Sequence, residues 1–149
     1  MMKDKNHIIR QISVFIDNRP ASLAEMTRSL ADRNINLRAL SLAETRDFGT
    51  TRIIVADVDT CSGVLRDAGY HFIETEVLAV EVADRPGGMA DVLECIANEH
   101  ISVEYAYAMI EKRDGSAVII LRVDNIGKAI MALRKRNIRL LTREDVALL

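Results

Sequence analysis

Aromatic residues are scarce in this chain. It has no tryptophan, three tyrosines and three phenylalanines, 4% of its residues, so its core must be built from Ile, Leu, Val, Met and Ala. Cysteine occurs twice, as Cys61 and Cys95, without CxxC spacing. That excludes a disulfide framework and makes a reducing cytoplasm the expected location. Neither sign of charge dominates: 20 basic and 22 acidic residues leave a formal net charge of -2. Such a balance gives no electrostatic attraction to nucleic acid or to an anionic membrane. No apolar run is long enough to span a bilayer, and Met1-Met2-Lys3-Asp4-Lys5-Asn6 lacks the character of a signal peptide. His7, His71 and His100 have no second ligand at a metal-binding spacing, so no metal is expected. There is no G-x-S-x-G elbow, no Walker loop and no G-x-G-x-x-G, so no catalytic residue and no cofactor is expected either.

What is present is a globular composition, 49% hydrophobic and 28% charged over 149 residues, and a repeat. Asn18-Arg19-Pro20-Ala21-Ser22-Leu23 returns as Asp84-Arg85-Pro86-Gly87-Gly88-Met89, an offset of 66 residues that also superposes Ala24 on Ala90, Ala31 on Ala97, Ile35 on Ile101 and Gly49 on Gly115. Past that glycine the register is expected to slip by one residue. The duplication divides the chain into 1–76 and 77–149. No Gly/Ser/Pro-rich linker separates the halves; Glu74-Thr75-Glu76 is only a short polar interruption.

Hydrophobic periodicity gives each half the order β-α-β-β-α-β. In the first half, strands are expected at 8–16, 36–43, 52–58 and 70–73, with helices at 22–33 and 59–68. Ser22 and Glu25 match a capping box, and Asn34 suits a left-handed helix stop. In the second half, strands are expected at 77–82, 102–110, 117–123 and 138–141. Met89, Val92, Leu93, Ile96 and Ala97 form one helical stripe, and Ile126, Ala129, Ile130 and Leu133 another. A last helical turn follows Thr142. Arg46-Asp47-Phe48-Gly49 and Arg113-Asp114-Gly115-Ser116 read as hairpin turns. The fold class is α+β: two ferredoxin-like units with antiparallel sheets and helices on one face.

Each repeated loop ends a strand and opens a helix, so helix N–H groups without partners and the positive end of the helix dipole face outward, a setting that favours a carboxylate. Asn18 and Asp84 precede the Arg-Pro pairs, and Asn36 and Ser102 lie 18 positions further on, where the second strand is expected to return toward the loop. Loop N–H groups with nearby polar acceptors suit the two charged ends of an α-amino acid. Leu23, Leu37, Met89 and Val103 would accommodate a branched aliphatic side chain; Asp84 and Glu104 would suit a basic or imidazole one, toward which the reading leans slightly. Tyr105 and Tyr107 share a sheet face, but Glu104, Ala108 and Glu111 beside them argue against RNA stacking.

Strand, Asn18–Leu23 loop, amphipathic helix, Asn34-Ile35-Asn36-Leu37 and hairpin together resemble an ACT domain, and Asp84–Met89 through His100-Ile101-Ser102-Val103 resembles a second. The resemblance covers nearly the whole chain. It implies regulatory binding of a free amino acid at the interface of paired units, as in the regulatory modules of phosphoglycerate dehydrogenase, aspartate kinase and acetolactate synthase. The ligand contacts it implies are Asn18, Ala21, Ser22, Leu23, Asn36 and Leu37, and Asp84, Gly87, Gly88, Met89, Ser102 and Val103. It departs from the family pattern where Ala21-Ser22 replaces the glycine usual after the proline. The expected function is therefore non-catalytic amino-acid sensing, by a homodimer or with a partner enzyme; the alternative is a regulatory subunit docking on a separate biosynthetic enzyme of the acetolactate synthase kind.

Overall fold

The computed structural model describes residues 2–44, 48–110 and 115–149. It contains six strands and six helices within those residues: α1 (Met2–Lys5), β1 (Ile9–Asp17), α2 (Ser22–Ala31), β2 (Ala39–Glu44), β3 (Phe48–Ile54), α3 (Val58–Asp67), β4 (His71–Ala83), α4 (Gly88–Asn98), β5 (Val103–Ala108), β6 (Ser116–Val123), α5 (Ile126–Lys135) and α6 (Arg143–Leu148). The chain forms two compact units, Arg10–Thr75 and Met1–Ile9 with Glu76–Leu149.

In the Arg10–Thr75 unit, β3 pairs antiparallel with β1 on one side and β2 on the other, so β3 lies between strands that precede it in the chain. That is the split βαβ arrangement the element order implies. Ile12, Val14 and Ile16 alternate along β1 onto the helix-facing side, where they meet Met26 and Leu30 of α2, Ile53 of β3 and Leu65 of α3. α2 ends where Asn34 takes φ 58°, a left-handed stop that asparagine tolerates. His100 and Asn137 do the same after α4 and α5.

The other unit repeats the plan. β6 pairs antiparallel with β4 and β5. Leu78, Val80 and Val82 of β4 pack against Val92 and Ile96 of α4 and Ile130 and Leu133 of α5. The N-terminal residues belong to this unit: Arg143 donates from its backbone N–H to Asn6 O (2.9 Å) and from Nε to Ile8 O (2.8 Å), and Asp4 pairs with Arg134.

Several expectations are corrected. The strands foreseen at 70–73 and 77–82 are one 13-residue strand, β4; Glu74-Thr75-Glu76 alternates in and out of a pleat and so does not break it. The strand foreseen at 138–141 is reduced to a single bridge between Leu140 and Val80, flanked by the bonds Glu81 N–H to Arg139 O and Leu141 N–H to Ala79 O, both 2.9 Å. The register slip between the copies is two residues: Ile12 faces Ile53, while Leu78, 66 positions on, faces Leu121, 68 positions on. Phe48 and Gly49 are strand rather than turn, because β3 begins earlier than the apolar run Ile53-Ile54-Val55 implied. The remainder of the two hairpin turns, 45–47 and 111–114, lies outside the described residues.

Candidate functional site

The two repeated loops have the same backbone. Ala21 and Gly87 occupy the N-cap positions of α2 and α4 in the left-handed region, at φ 69° and 87°. Ser22 N–H donates to Arg19 O and Gly88 N–H to Arg85 O; Glu25 N–H donates to Ala21 O and Asp91 N–H to Gly87 O. The arginines also correspond. Arg19 Nη1 reaches Pro20 O and Arg19 Nη2 reaches Glu25 Oε2 (2.6 Å); Arg85 Nη1 reaches Pro86 O and Arg85 Nη2 reaches Asp91 Oδ2 (2.7 Å). Each guanidinium therefore fastens its loop to the first turn of the following helix. The Arg19 hydrogen bonds and charge hold the Glu25 carboxyl below its ordinary range.

The N-termini of α2 to α6 fall into two classes. α3 is capped by Asp57, which accepts from Thr60 N–H (3.0 Å); α5 by Asn125, which accepts from Lys128 N–H (3.0 Å); and α6 by Thr142 in a full capping box with Asp145. α2 and α4 have no side-chain cap. The expected Ser22–Glu25 box is absent because Ser22 is already the first helical residue and Glu25 is held by Arg19. The N–H groups of Leu23 and Ala24, and of Met89 and Ala90, have no hydrogen-bond partner among the described residues. These are the donors that an anion at a helix N-terminus would use.

A cavity of about 520 Å³ opens at the first of these termini. Its lining includes Asn18, Ala21, Ser22 and Leu23 from the predicted loop, with Ile16, Thr27, Leu42, Glu44 and Gly49. Ser22 is only 6% exposed as a residue and borders the cavity, and its hydroxyl has no hydrogen-bond partner among the described residues. Sheet register explains the cavity floor. Ile16 faces Gly49 and Gly49 faces Glu44, so a row on the helix-facing side runs from a carboxylate across a position without a side chain to an isoleucine. The Glu44 carboxylate has no ion-pair or hydrogen-bond partner among the described residues.

The second loop is tighter. A Cβ on Gly88 would lie 2.0 Å from Ala83 O, so only glycine lets the chain pass that close to the end of β4. Ser22 stands at the matching position of the first loop.

Asn36 and Leu37 do not reach the first loop. They lie beyond the far end of α2, about 15 Å of helix away. Asn36 lines a separate cavity of about 270 Å³ with Arg33, Asn34 and Asp57, and Leu37 packs on the core. Ser102 is likewise held away from its loop: its N–H donates to Asp124 Oδ1 (3.0 Å) and its carbonyl accepts from Asp124 N–H (3.1 Å), while Val103 packs on the core. The second strand starts at the opposite end of the helix from the loop, so its end, not its start, returns to the site. Continuing the strand alternation past Ala43 reaches Glu44, on the same side as Leu42. Glu104 is paired with Arg122 Nε (3.1 Å).

Both cysteines are free and buried. Burial pushes Cys61 up to about 11, with Asp57 adding to the rise, and burial also raises Cys95, whose Sγ lies 3.3 Å from Ala132 O. Among the described residues no group of three or more His, Cys, Asp or Glu is arranged to hold a metal ion, and no helix is long and apolar enough to cross a membrane.

A profile of the ACT domain pair matches residues 7–149. A protein of solved structure from Bacteroides thetaiotaomicron is 34% identical, with 96% of this chain and 98% of that one covered and a TM-score of 0.89. The ligand-free regulatory subunit of aspartate kinase from Thermus thermophilus shares the fold at 16% identity, covering 85% of this chain and 90% of that one, with a TM-score of 0.63. The corresponding subunit from Thermus flavus does so at 15% identity, 85% and 90% coverage, and a TM-score of 0.60. No curated protein matches the chain.

Proposed function

We propose a function from one premise: this chain belongs to the ACT domain pair family, a regulatory, amino-acid-binding family. On this reading it is a sensor that performs no catalysis of its own. It binds a free amino acid at the N-terminus of α2 and passes the bound state on through its own association or a partner enzyme.

The observation that carries the reading is the division among the helix N-termini. Of the N-termini of α2 to α6, three are closed by side chains, while the two in the repeated loops are left open, one of them beside a cavity lined by Ser22. A ligand carboxylate would complete the hydrogen bonding that side chains complete elsewhere. Asn18, Ala21, Ser22 and Leu23 line this site, and Asp84, Gly87, Gly88 and Met89 form the matching loop of the other unit.

Thermal unfolding with each of the twenty amino acids at millimolar concentration tests this. A ligand present at 100 times its Kd should add roughly 2.7 kcal/mol of stability, several degrees for a chain of this size. No shift with any amino acid would remove the free-standing sensor.

A second reading, a regulatory subunit docking on a separate biosynthetic enzyme, is supported by Phe15 and Phe48. They lie on the sheet face opposite the helices of the Arg10–Thr75 unit and are 38% and 51% exposed. Co-purification of a larger enzyme, lost in Phe48→Ser, would favour it.

A further inference from the structure

We propose that the cavity at α2 takes one free α-amino acid with an uncharged aliphatic side chain, that Glu44 holds its α-ammonium, and that the chain binds one such ligand, not two. This rests on the sensor reading above and deepens it.

The carboxylate end is assigned by two kinds of donor. Leu23 and Ala24 present N–H groups without partners at the positive end of α2. Ser22 supplies a third, independent donor: a serine more than nine-tenths buried whose hydroxyl has no side-chain or backbone partner among the described residues and which lines the cavity. A hydroxyl in that position donates readily to a carboxylate.

The ammonium end is assigned by charge. Of the carboxylates lining the cavity, Asp17 is already shared with Arg19 (3.9 Å) and points largely into solvent, whereas Glu44 has no cation among the described residues. That carboxylate, without a cation among the described residues, matches one ammonium. A second cation on a basic side chain would have only the shared Asp17 to meet. Ile16, Leu23 and Leu42, with the gap at Gly49, leave an apolar channel for the side chain instead. Filling that gap is measurable, because a Cβ on Gly49 would meet Leu42 Cδ1 at 3.3 Å and Ile16 Cγ1 at 3.6 Å, contacts a flexible leucine can yield to without loss of the fold.

The stoichiometry follows from the register of the other unit. Displaced by 66 residues, Asp17 becomes Ala83, Ser22 becomes Gly88 and Glu44 becomes Ile110; on β6, displaced by 68, Gly49 becomes Ala117. Both carboxylates, the buried hydroxyl and the gap are all missing there.

Calorimetric titration of the whole chain tests this, with L-leucine, its deaminated analogue 4-methylpentanoate, L-alanine and L-lysine as probes. L-Leucine is expected to bind once per chain. The analogue should bind at least about tenfold more weakly, and so should L-leucine to Glu44→Gln, since each loses a charge-assisted hydrogen bond. Gly49→Ala should weaken L-leucine more than L-alanine. Ile110→Gln, the matching site in the other unit, should bind L-leucine as the parent does. Two ligands per chain, tighter binding of L-lysine than of L-leucine, or an unchanged Glu44→Gln would overturn the proposal while leaving the sensor standing. Failure of all twenty amino acids to shift thermal unfolding would remove both.

Discussion

The two repeated loops share a backbone path and differ in what they leave open. Ala21 and Gly87 adopt the same left-handed conformation, and Arg19 and Arg85 make the same pair of bonds. Yet one loop accommodates a serine side chain at Ser22, and the other rests on the carbonyl of Ala83 at Gly88. Duplication preserved the parts that shape the loop, the Arg-Pro pair and the acid six residues after the arginine. The residues facing the enclosed space diverged. Conserving a turn and conserving a site are thus separate matters within one chain, and the turn is the part a short motif encodes.

The sharpest way to break this comparison is to give both loops the same side chain. Gly88→Ala places a methyl against a backbone oxygen that cannot rotate away, so it should destabilise the protein by about 3 kcal/mol, read as a lower midpoint in urea. The reciprocal Ser22→Gly loses only helix propensity and some packing, about 1 kcal/mol. Equal effects would mean that the loops sit equally close to their strands.

A smaller exchange probes the shared conformation. Ala21 bears the cost of a left-handed φ that Gly87 avoids, roughly 1–2 kcal/mol, partly offset by the greater chain entropy glycine loses on folding. Ala21→Gly should therefore stabilise by about 0.5 kcal/mol, and Gly87→Ala should destabilise by about 1 kcal/mol. Opposite signs in paired thermal unfolding experiments would establish that the backbones match in solution; equal signs would break the match.

Much of the architecture was legible in the sequence because it is written in periodicity. Ile12, Val14 and Ile16 alternate, Val92 and Ile96 recur on one helical face, and each points into a core. The loops were legible because proline, glycine and arginine constrain a turn locally. The partners of the loop were not, since which strand residues meet a helix N-terminus depends on where the hairpin register falls. Reading β2 as ending at Ala43 hid Glu44, and reading Gly49 as turn hid the gap beneath the helix. Asn36 and Ser102 were misplaced for the same reason: equal spacing from the loop in both copies is a symmetry of the repeat, and it carries no information about distance. Continuous β4 escaped because three polar residues suit an exposed strand as well as a break.

The smallest expected effect separates the units by charge instead of shape. The caps of α3 and α5 occupy matching places, but one is Asp57 and the other Asn125. Hydrogen bonds from the Thr60 hydroxyl and N–H lower the Asp57 pKa from its ordinary 3.8. A carboxyl whose pKa is depressed by folding contributes stability that is complete above the unfolded value and is lost as pH falls through the folded one. Acid should therefore loosen α3 in the Arg10–Thr75 unit through its cap while leaving the Asn125 cap of α5 untouched. Asparagine caps a helix about as well as aspartate. Asp57→Asn should thus change little at neutral pH and flatten the fall of the thermal midpoint as pH drops below about 4, in the direction the lowered pKa requires. Parallel curves for the parent and the variant would mean that the Asp57 charge contributes nothing to folding, and that the two caps, unlike the two loops, are equivalent.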